Sequence, residues 1–191
     1  MSERGVKNVV AEAKDGFVAA VEGAGDIAGA VVETASNITV RTLRGANVVG
    51  TELLSLGAAT VTGIVHGVAE VGEAAGDAAR DVMVGTLRGT GKVGKVTLET
   101  VSTNAAALVR ATDEVGGSVA SAAKGAVAGA IETARDLGVS TEQAASAAGA
   151  GALKAAGAIG STAFDEVRKG LTGTIAGVKV VLKEPFRNEN R

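Results

Sequence analysis

The chain has 191 residues, of which 28 are Gly and three are Phe, and it contains neither Trp nor Tyr, so a conventional aromatic core is excluded. Its formal net charge of −2 and its lack of aromatic stacking residues argue against a nucleic-acid-binding protein. With no Cys and one His, the chain can form neither a disulfide nor a structural zinc site.

The N-terminal stretch MSERGVKNVVAEAKDG alternates charged with apolar side chains. It contains no continuous apolar segment of the kind that a secretory signal needs. The sequence therefore predicts a cytoplasmic protein.

An internal 44-residue repeat follows, since the blocks 26–45, 70–89, 114–133 and 158–177 align without a gap. VRTLRG at 40–45 returns as VGTLRG at 84–89. An ungapped internal period indicates duplication of one structural unit. Since 44 is four times eleven, and eleven residues make three turns at about 3.67 residues per turn, the repeat predicts an amphipathic helix with an eleven-residue period, or hendecad.

Large apolar residues recur at every eleventh position on two lines that share one side of such a helix. The first line departs from this rule only at Gly76, Ala120 and Glu142. A third line, from Glu22 to Asp165, is polar at every position and lies roughly opposite. The predicted binding stripe consists of Val21, Ile27, Val32, Ile38, Leu43, Val49, Leu54, Val65, Val71, Val82, Leu87, Val93, Leu98, Val109, Val115, Ile131, Leu137, Leu153, Ile159, Phe164, Ile175 and Val181.

The pattern predicts an all-α protein with one amphipathic repeat region over residues 1–182 and a polar tail over 183–191. A single helix would reach on the order of 270 Å. Candidate breaks lie near Gly50, Gly94 and Gly138, the last followed by Ser140 as a helix cap. A few helices of roughly 40 residues are therefore the alternative, and either arrangement is extended rather than globular.

Interior glycines weaken a helix by up to about 1 kcal/mol each, so the apolar stripe must be buried against something for the helix to be stable. Residues 53–69 carry no formal charge with His66 neutral, and we interpret them as an in-plane segment rather than a transmembrane one. Glycine pairs spaced four residues apart favour close helix packing. The predicted packing positions are Gly63, Gly67, Gly85, Gly89, Gly173 and Gly177.

No catalytic or cofactor-binding constellation is evident. His66 lies on the polar line, and the adjacent carboxylates Asp113 and Glu114 do not stack on one helix face. GTGKVGK at 89–95 lacks the order of a phosphate-binding loop. The sequence predicts a non-enzyme without cofactor or metal.

Two stretches, AVEGAGDIAGA at 20–30 and GIVHGVAEVGEAAG at 63–76, resemble the eleven-residue repeats of the synucleins. More broadly, the chain is similar to the repeats of perilipins and late-embryogenesis-abundant proteins and to the Ala-rich helices of phasins. The lysine-rich KTKEGV signature of the synucleins is absent. The resemblance implies a chain that becomes an in-plane helix on a lipid or polymer surface.

Two function classes follow. The first is an amphipathic coat protein, peripheral to a membrane, lipid droplet or storage granule, with the stripe inserted shallowly. The second is a self-assembling helical bundle or filament, a homo-oligomer in which the stripe forms the seam. A disordered stress protectant is a third interpretation.

Overall fold

The computed structural model describes residues 3–22, 27–46, 51–72 and 74–180. Within these ranges it contains eight α-helices and one two-stranded hairpin, which confirms the predicted all-α class. The elements are α1 (Glu3–Val21), α2 (Ile27–Ala46), α3 (Thr51–Glu70), α4 (Ala75–Val93), α5 (Leu98–Glu114), α6 (Val119–Ala134), α7 (Thr141–Ile159), α8 (Ser161–Leu171), β1 (Thr174–Ile175) and β2 (Val178–Lys179).

The helices form two rows. In one row α1, α3, α5 and α7 pack in succession, and in the other α2, α4, α6 and α8 do the same. Consecutive helices also contact each other across the rows. The chain is thus a two-layer stack of helical hairpins, the architecture of an α-solenoid, in which each unit contacts mainly its neighbours.

The prediction of one extended helix, or of a few helices of roughly 40 residues, is wrong. The longest described helices, α2 and α3, have 20 residues each. The repeat instead covers one helical hairpin, because two helices and their two connections fit into one period.

Side-chain caps explain several of the helix starts. Thr97 and Thr100 cap α5 reciprocally, with the Thr100 amide donating to Thr97 Oγ1 over 3.2 Å. At α6 the cap is one-sided, with Ser118 Oγ accepting from the Ser121 amide. The cap predicted at Ser140 is present, since Ser140 Oγ accepts from the amide three residues later and α7 begins at the next residue.

A glycine recurs in the turns at intervals of half a repeat, that is, of two hendecads. Gly72, Gly116 and Gly138 have φ of +85°, +73° and +69°, values that favour glycine, and Gly94 is the C-cap of α4. The breaks predicted at Gly94 and Gly138 are confirmed, whereas those at Gly72 and Gly116 were not predicted; Gly50 lies outside the described residues. Half of the 44-residue repeat is therefore one helix with its turn, and the full repeat contains two of them.

The apolar lines keep their eleven-residue spacing across these turns because each helix with its turn contains a whole number of hendecads. Each of the helices α1 to α7 contains two members of the first apolar line, and the second member is a buried large apolar side chain. Val21, Leu43, Val65, Leu87, Val109, Ile131 and Leu153 are these second members, each less than 9 % exposed. The departures at Gly76, Ala120 and Glu142 all fall on first members, near helix N-termini.

The hairpin covers the C-terminal end of the stack. β1 and β2 pair in antiparallel fashion through a two-residue turn in which Ala176 (φ +47°) and Gly177 (φ +81°) are left-handed, as a type I′ turn requires. β1 packs on α6 and β2 on α7, and Val180 is buried beside them. The helical pattern expected to continue to residue 182 thus ends at Leu171.

Candidate functional site

The predicted binding stripe lies largely inside the stack. Its buried members are Val21, Ile38, Leu43, Val65, Val82, Leu87, Val109, Ile131 and Leu153. Its half-buried members are Val32, Leu54, Val71, Val93, Val115, Leu137, Ile159, Phe164 and Ile175. Leu98 is 38 % exposed, and no other large hydrophobic side chain of the described residues is exposed.

Three further members of the stripe, Val49, Val181 and the side chain of Ile27, lie outside the described residues. The members that are described do not form one continuous surface. Each helix turns its own segment of the stripe toward the neighbouring helices, because the chain reverses after every second hendecad. The stripe is therefore a sequence of helix contacts, and most of its apolar area is already removed from water.

Four of the six predicted packing glycines lie where two helices meet. A Cβ at Gly63 would collide with the Val10 carbonyl of α1, and a Cβ at Gly67 would lie 2.9 Å from Phe17 Cδ1. In the other row, Gly85 and Gly89 face α2 in the same manner, the former against the Val32 carbonyl. Each pair lets its helix approach the preceding helix of its own row.

The packing glycines of the later helices were not predicted. Gly125 and Gly129 in α6 meet α4 near Arg80, and Gly151 in α7 meets the Ser102 carbonyl of α5. The signal was present in the sequence, since positions 63, 85, 129 and 151 are separated by whole or half repeats.

The predicted helix packing at Gly173 and Gly177 is wrong. Neither residue is in a helix, and a Cβ at either one would meet nothing within 4 Å. Their φ values of +116° and +81° place them in the hairpin. Gly173 and Gly177 lie two full repeats beyond Gly85 and Gly89, but α8 ends at Leu171, before either residue.

Polar contacts join neighbouring helices of each row. Lys14 Nζ of α1 lies 2.8 Å from Glu70 Oε2 of α3, and the hydrogen bond with Glu70, together with its charge, raises the pKa of Lys14. In the other row Lys92 Nζ donates to Ser36 Oγ over 3.0 Å. Ser36 lies half a repeat beyond Lys14, and Lys92 lies half a repeat beyond Glu70, so the two rows use the same register.

A second set of contacts repeats this register. His66 Nε2 of α3 lies 3.0 Å from Glu114 Oε2 of α5, and Arg88 of α4 lies 3.7 Å from Asp136, just beyond α6. The two pairs have the same separation along the chain, and the second is displaced from the first by half a repeat. His66, expected to be solvated, has a 30 % exposed side chain and contacts this carboxylate.

The described residues contain no group of three or more His, Cys, Asp and Glu side chains that could hold a metal ion. A cavity of about 540 Å³ opens among α1, α2 and α3 and is lined by Glu12 and Arg41 with mainly small and apolar neighbours. Thr42 is the remaining polar residue of this lining, so the cavity offers charged and hydroxyl groups to a ligand.

Helix α3 is long and apolar enough to cross a membrane when judged by length and composition alone. Its window Glu52–Glu70 has a mean hydropathy of 1.3, and half of the window is buried inside the stack. A core helix of a packed protein meets the same criterion.

Several polar side chains are buried among the helices. Thr39, Thr60, Thr86, Thr90 and Thr133 each donate to the carbonyl four residues earlier. Asn104 Nδ2 and Thr112 Oγ1 in α5 have no hydrogen-bond partner. Asn104 occupies the second apolar line, where Ile38 and Val82 are buried in other helices, and no sequence signal distinguished it.

Comparison with known proteins adds no relative. No protein-family model matches the chain, and no curated protein or solved structure shows significant similarity to it.

Proposed function

We propose that this protein is a non-enzymatic structural protein, a preformed helical-repeat scaffold that presents a polar surface along its sides. The observation that carries the proposal is the burial of the apolar stripe between helices of the same chain. A stripe already covered by neighbouring helices is not free to coat a surface.

The construction of the stack supports a mechanical role. Glycine and alanine contacts bring helices of each row close together, and buried threonines bond back to their own helix. Contacts of this kind are specific in shape and resist sliding of one helix on the next. Since each unit contacts mainly its neighbours, length and spacing follow from the number of units.

The N-terminal end is the natural place for the homo-oligomer expected from the sequence. Gly45 in α2 occupies the register of the packing glycines Gly67 and Gly89, yet a Cβ there would meet nothing within 4 Å. The other end is covered by the hairpin and by α8, whose outer residues include Asp165, Glu166 and neighbouring cations. Association through the N-terminal ends of two copies would form a closed dimer rather than a filament.

A second candidate function is the surface-coating protein, in which the stack opens and its helices lie in the plane of a lipid or granule surface. The composition of α3 and the low helix propensity of the many glycines favour this candidate. It would require the contacts between α1 and α3, and between α2 and α4, to separate on binding.

A distance measurement between spin labels separates the two functions. The chain has no native cysteine, so Lys14→Cys and Glu70→Cys can be labelled selectively. In the stack the two positions are in contact, whereas in one continuous in-plane helix they would be about 84 Å apart at 1.5 Å per residue. Labels at Gln143 and Lys154, both exposed in α7, serve as the control because their separation of about 17 Å does not depend on the arrangement of helices.

The scaffold proposal predicts a short distance from position 14 to position 70 in buffer, which persists when phospholipid vesicles are added. A long distance in the presence of vesicles would overturn it and favour the coat. Light-scattering mass of the same sample, compared with a Gly45→Arg variant, tests the dimer. An unchanged mass in that variant would contradict association through α2.

A further inference from the structure

A basic cavity lies between α5 and α7, beside the close contact of Gly151 with Ser102. Its volume is about 310 Å³, and Arg110 and Lys154 are its charged lining residues. The hydroxyl-bearing residues Ser102 and Thr103 line it as well, and its remaining lining residues are Ala106, Gly151, Ala155 and Ala158. No acidic residue of the described chain is among them.

The repeat register shows what is missing at this position. In the preceding helices, His66 contacts Glu114 and Arg88 contacts Asp136, with the same separation along the chain in each pair. Arg110 is the next basic residue in this series, half a repeat beyond Arg88, and its counterpart at that separation is Ala158. The carboxylate that contacts the basic side chain in the two preceding pairs is thus replaced by a methyl group.

Arg110 is held by a backbone hydrogen bond, although it lacks an acidic partner. Arg110 Nε donates to the Ala106 carbonyl over 3.3 Å, which directs the guanidinium along α5. Lys154 lies one full repeat beyond Arg110, so the two occupy the same register on neighbouring helices of one row. Among the residues that the structure describes, no carboxylate lies within ion-pair distance of either cation.

The cavity is formed where α5 and α7 pack closely through small residues. Gly151 is in direct contact with the Ser102 carbonyl, and the neighbouring Ala106 and Ala155 are small. These small residues leave open space between α5 and α7, and Arg110 and Lys154 line it.

We propose that this cavity binds a phosphate-type oxyanion. Two cations and two hydroxyl-bearing residues match the charge and the oxygen count of a dianionic phosphate better than those of a single carboxylate. Arginine supplies paired donors to adjacent phosphate oxygens, and lysine supplies a compact positive charge. The phosphate group can belong to a free ion or to the headgroup of an anionic phospholipid, since both present the same oxygens.

The test is a calorimetric titration of the full chain with inorganic phosphate at low ionic strength, where such contacts are least screened. Arg110→Gln removes one cation. Ala158→Glu instead restores the carboxylate found in the neighbouring units, which neutralises Arg110 from within the protein. Arg135→Gln, an exposed position outside the cavity, is the matched control, and circular dichroism of every variant verifies folding.

We expect phosphate to bind the native chain and the Arg135 variant equally, and the Arg110→Gln and Ala158→Glu variants on the order of tenfold more weakly. Sedimentation with vesicles of phosphatidylcholine, alone or mixed with phosphatidic acid, identifies the source of the phosphate group. Binding of the mixed vesicles that is lost in both cavity variants, without binding of free phosphate, assigns a lipid headgroup. Equal binding by native chain and cavity variants, or binding of neither probe, would overturn the proposal.

The result of the phosphate titration does not decide whether the proposed scaffold function is correct. The spin-label distance in buffer reports whether the stack forms, and the titration reports whether its cavity holds an anion. A chain that keeps the short distance and binds neither free phosphate nor the mixed vesicles refutes the proposed anion site alone.

Discussion

Replacing Gly85 by Ala tests the close packing of the rows, because it adds one methyl group where α4 meets α2. In the native geometry the new Cβ would lie 2.5 Å from the Val32 carbonyl oxygen and 2.6 Å from Ala35 Cβ. Ordinary contacts between such atoms are about 3.5–4.0 Å, so the two helices must separate by roughly 1 Å. Neither obstacle is the flexible end of a side chain, and the backbone of α2 has to move.

Two opposing terms set the size of the effect. Overpacking of this kind costs about 1–3 kcal/mol, while Ala in place of Gly in a helix interior contributes up to about 1 kcal/mol in the opposite direction. We expect a net loss of about 1–2 kcal/mol in the free energy of unfolding, which lowers Tm by about 2–8 °C for a chain of this size. Gly16→Ala in α1 is the matched control, since its Cβ would make only ordinary contacts, the nearest at 3.5 Å from an Arg41 nitrogen.

The assay is thermal and urea unfolding of the three proteins, followed by the helical circular dichroism signal. The Gly16 variant is expected to be as stable as the native chain or more so. A Gly85 variant that gains stability to the same extent would refute the reasoning, because it would mean that α2 and α4 do not approach each other at this residue.

Three further predictions concern single residues. Leu108→Ala, at a fully buried position in α5, should cost about 2–5 kcal/mol, whereas Leu98→Ala, at the exposed start of the same helix, should change stability by less than about 1 kcal/mol; urea denaturation compares them. Thr112→Val replaces a buried hydroxyl without a partner by a methyl group of similar shape, so the urea midpoint should rise, and a fall would contradict the burial. Hydrogen bonding from Ser140 lowers the pKa of Glu142, so this contact stabilises the fold above the ordinary carboxyl range and is lost as pH falls through the lowered value. Ser140→Ala should therefore raise the pKa of Glu142 in an NMR titration and remove a cap that contributes about 1 kcal/mol to α7.

The candidate surfaces were only partly accessible from the sequence. The stripe residues Val65 and Leu87 were identified as apolar contact residues, but the pattern could not say whether lipid or another helix covers them, since both are equally apolar environments. The basic cavity was not anticipated. Arg110 and Lys154 belong to the same polar line, and only the pairing of α5 with α7 brings them to one place.

The features that could be predicted from the chain are local ones: helical segments, the apolar side of each segment, the cap at Ser140 and the period of the repeat. They follow from propensity and spacing along a single chain. The reversal of the chain at every half repeat emerged only from the packing of helices. Packing also gives different roles to equivalent glycines, since Gly85 meets the backbone of α2 whereas Gly173 lies immediately before β1 with a φ of +116°. The physical reason is that each helix with its turn completes two hendecads. A chain that turns and a chain that continues straight therefore carry the same periodic pattern, and only contacts between distant segments distinguish them.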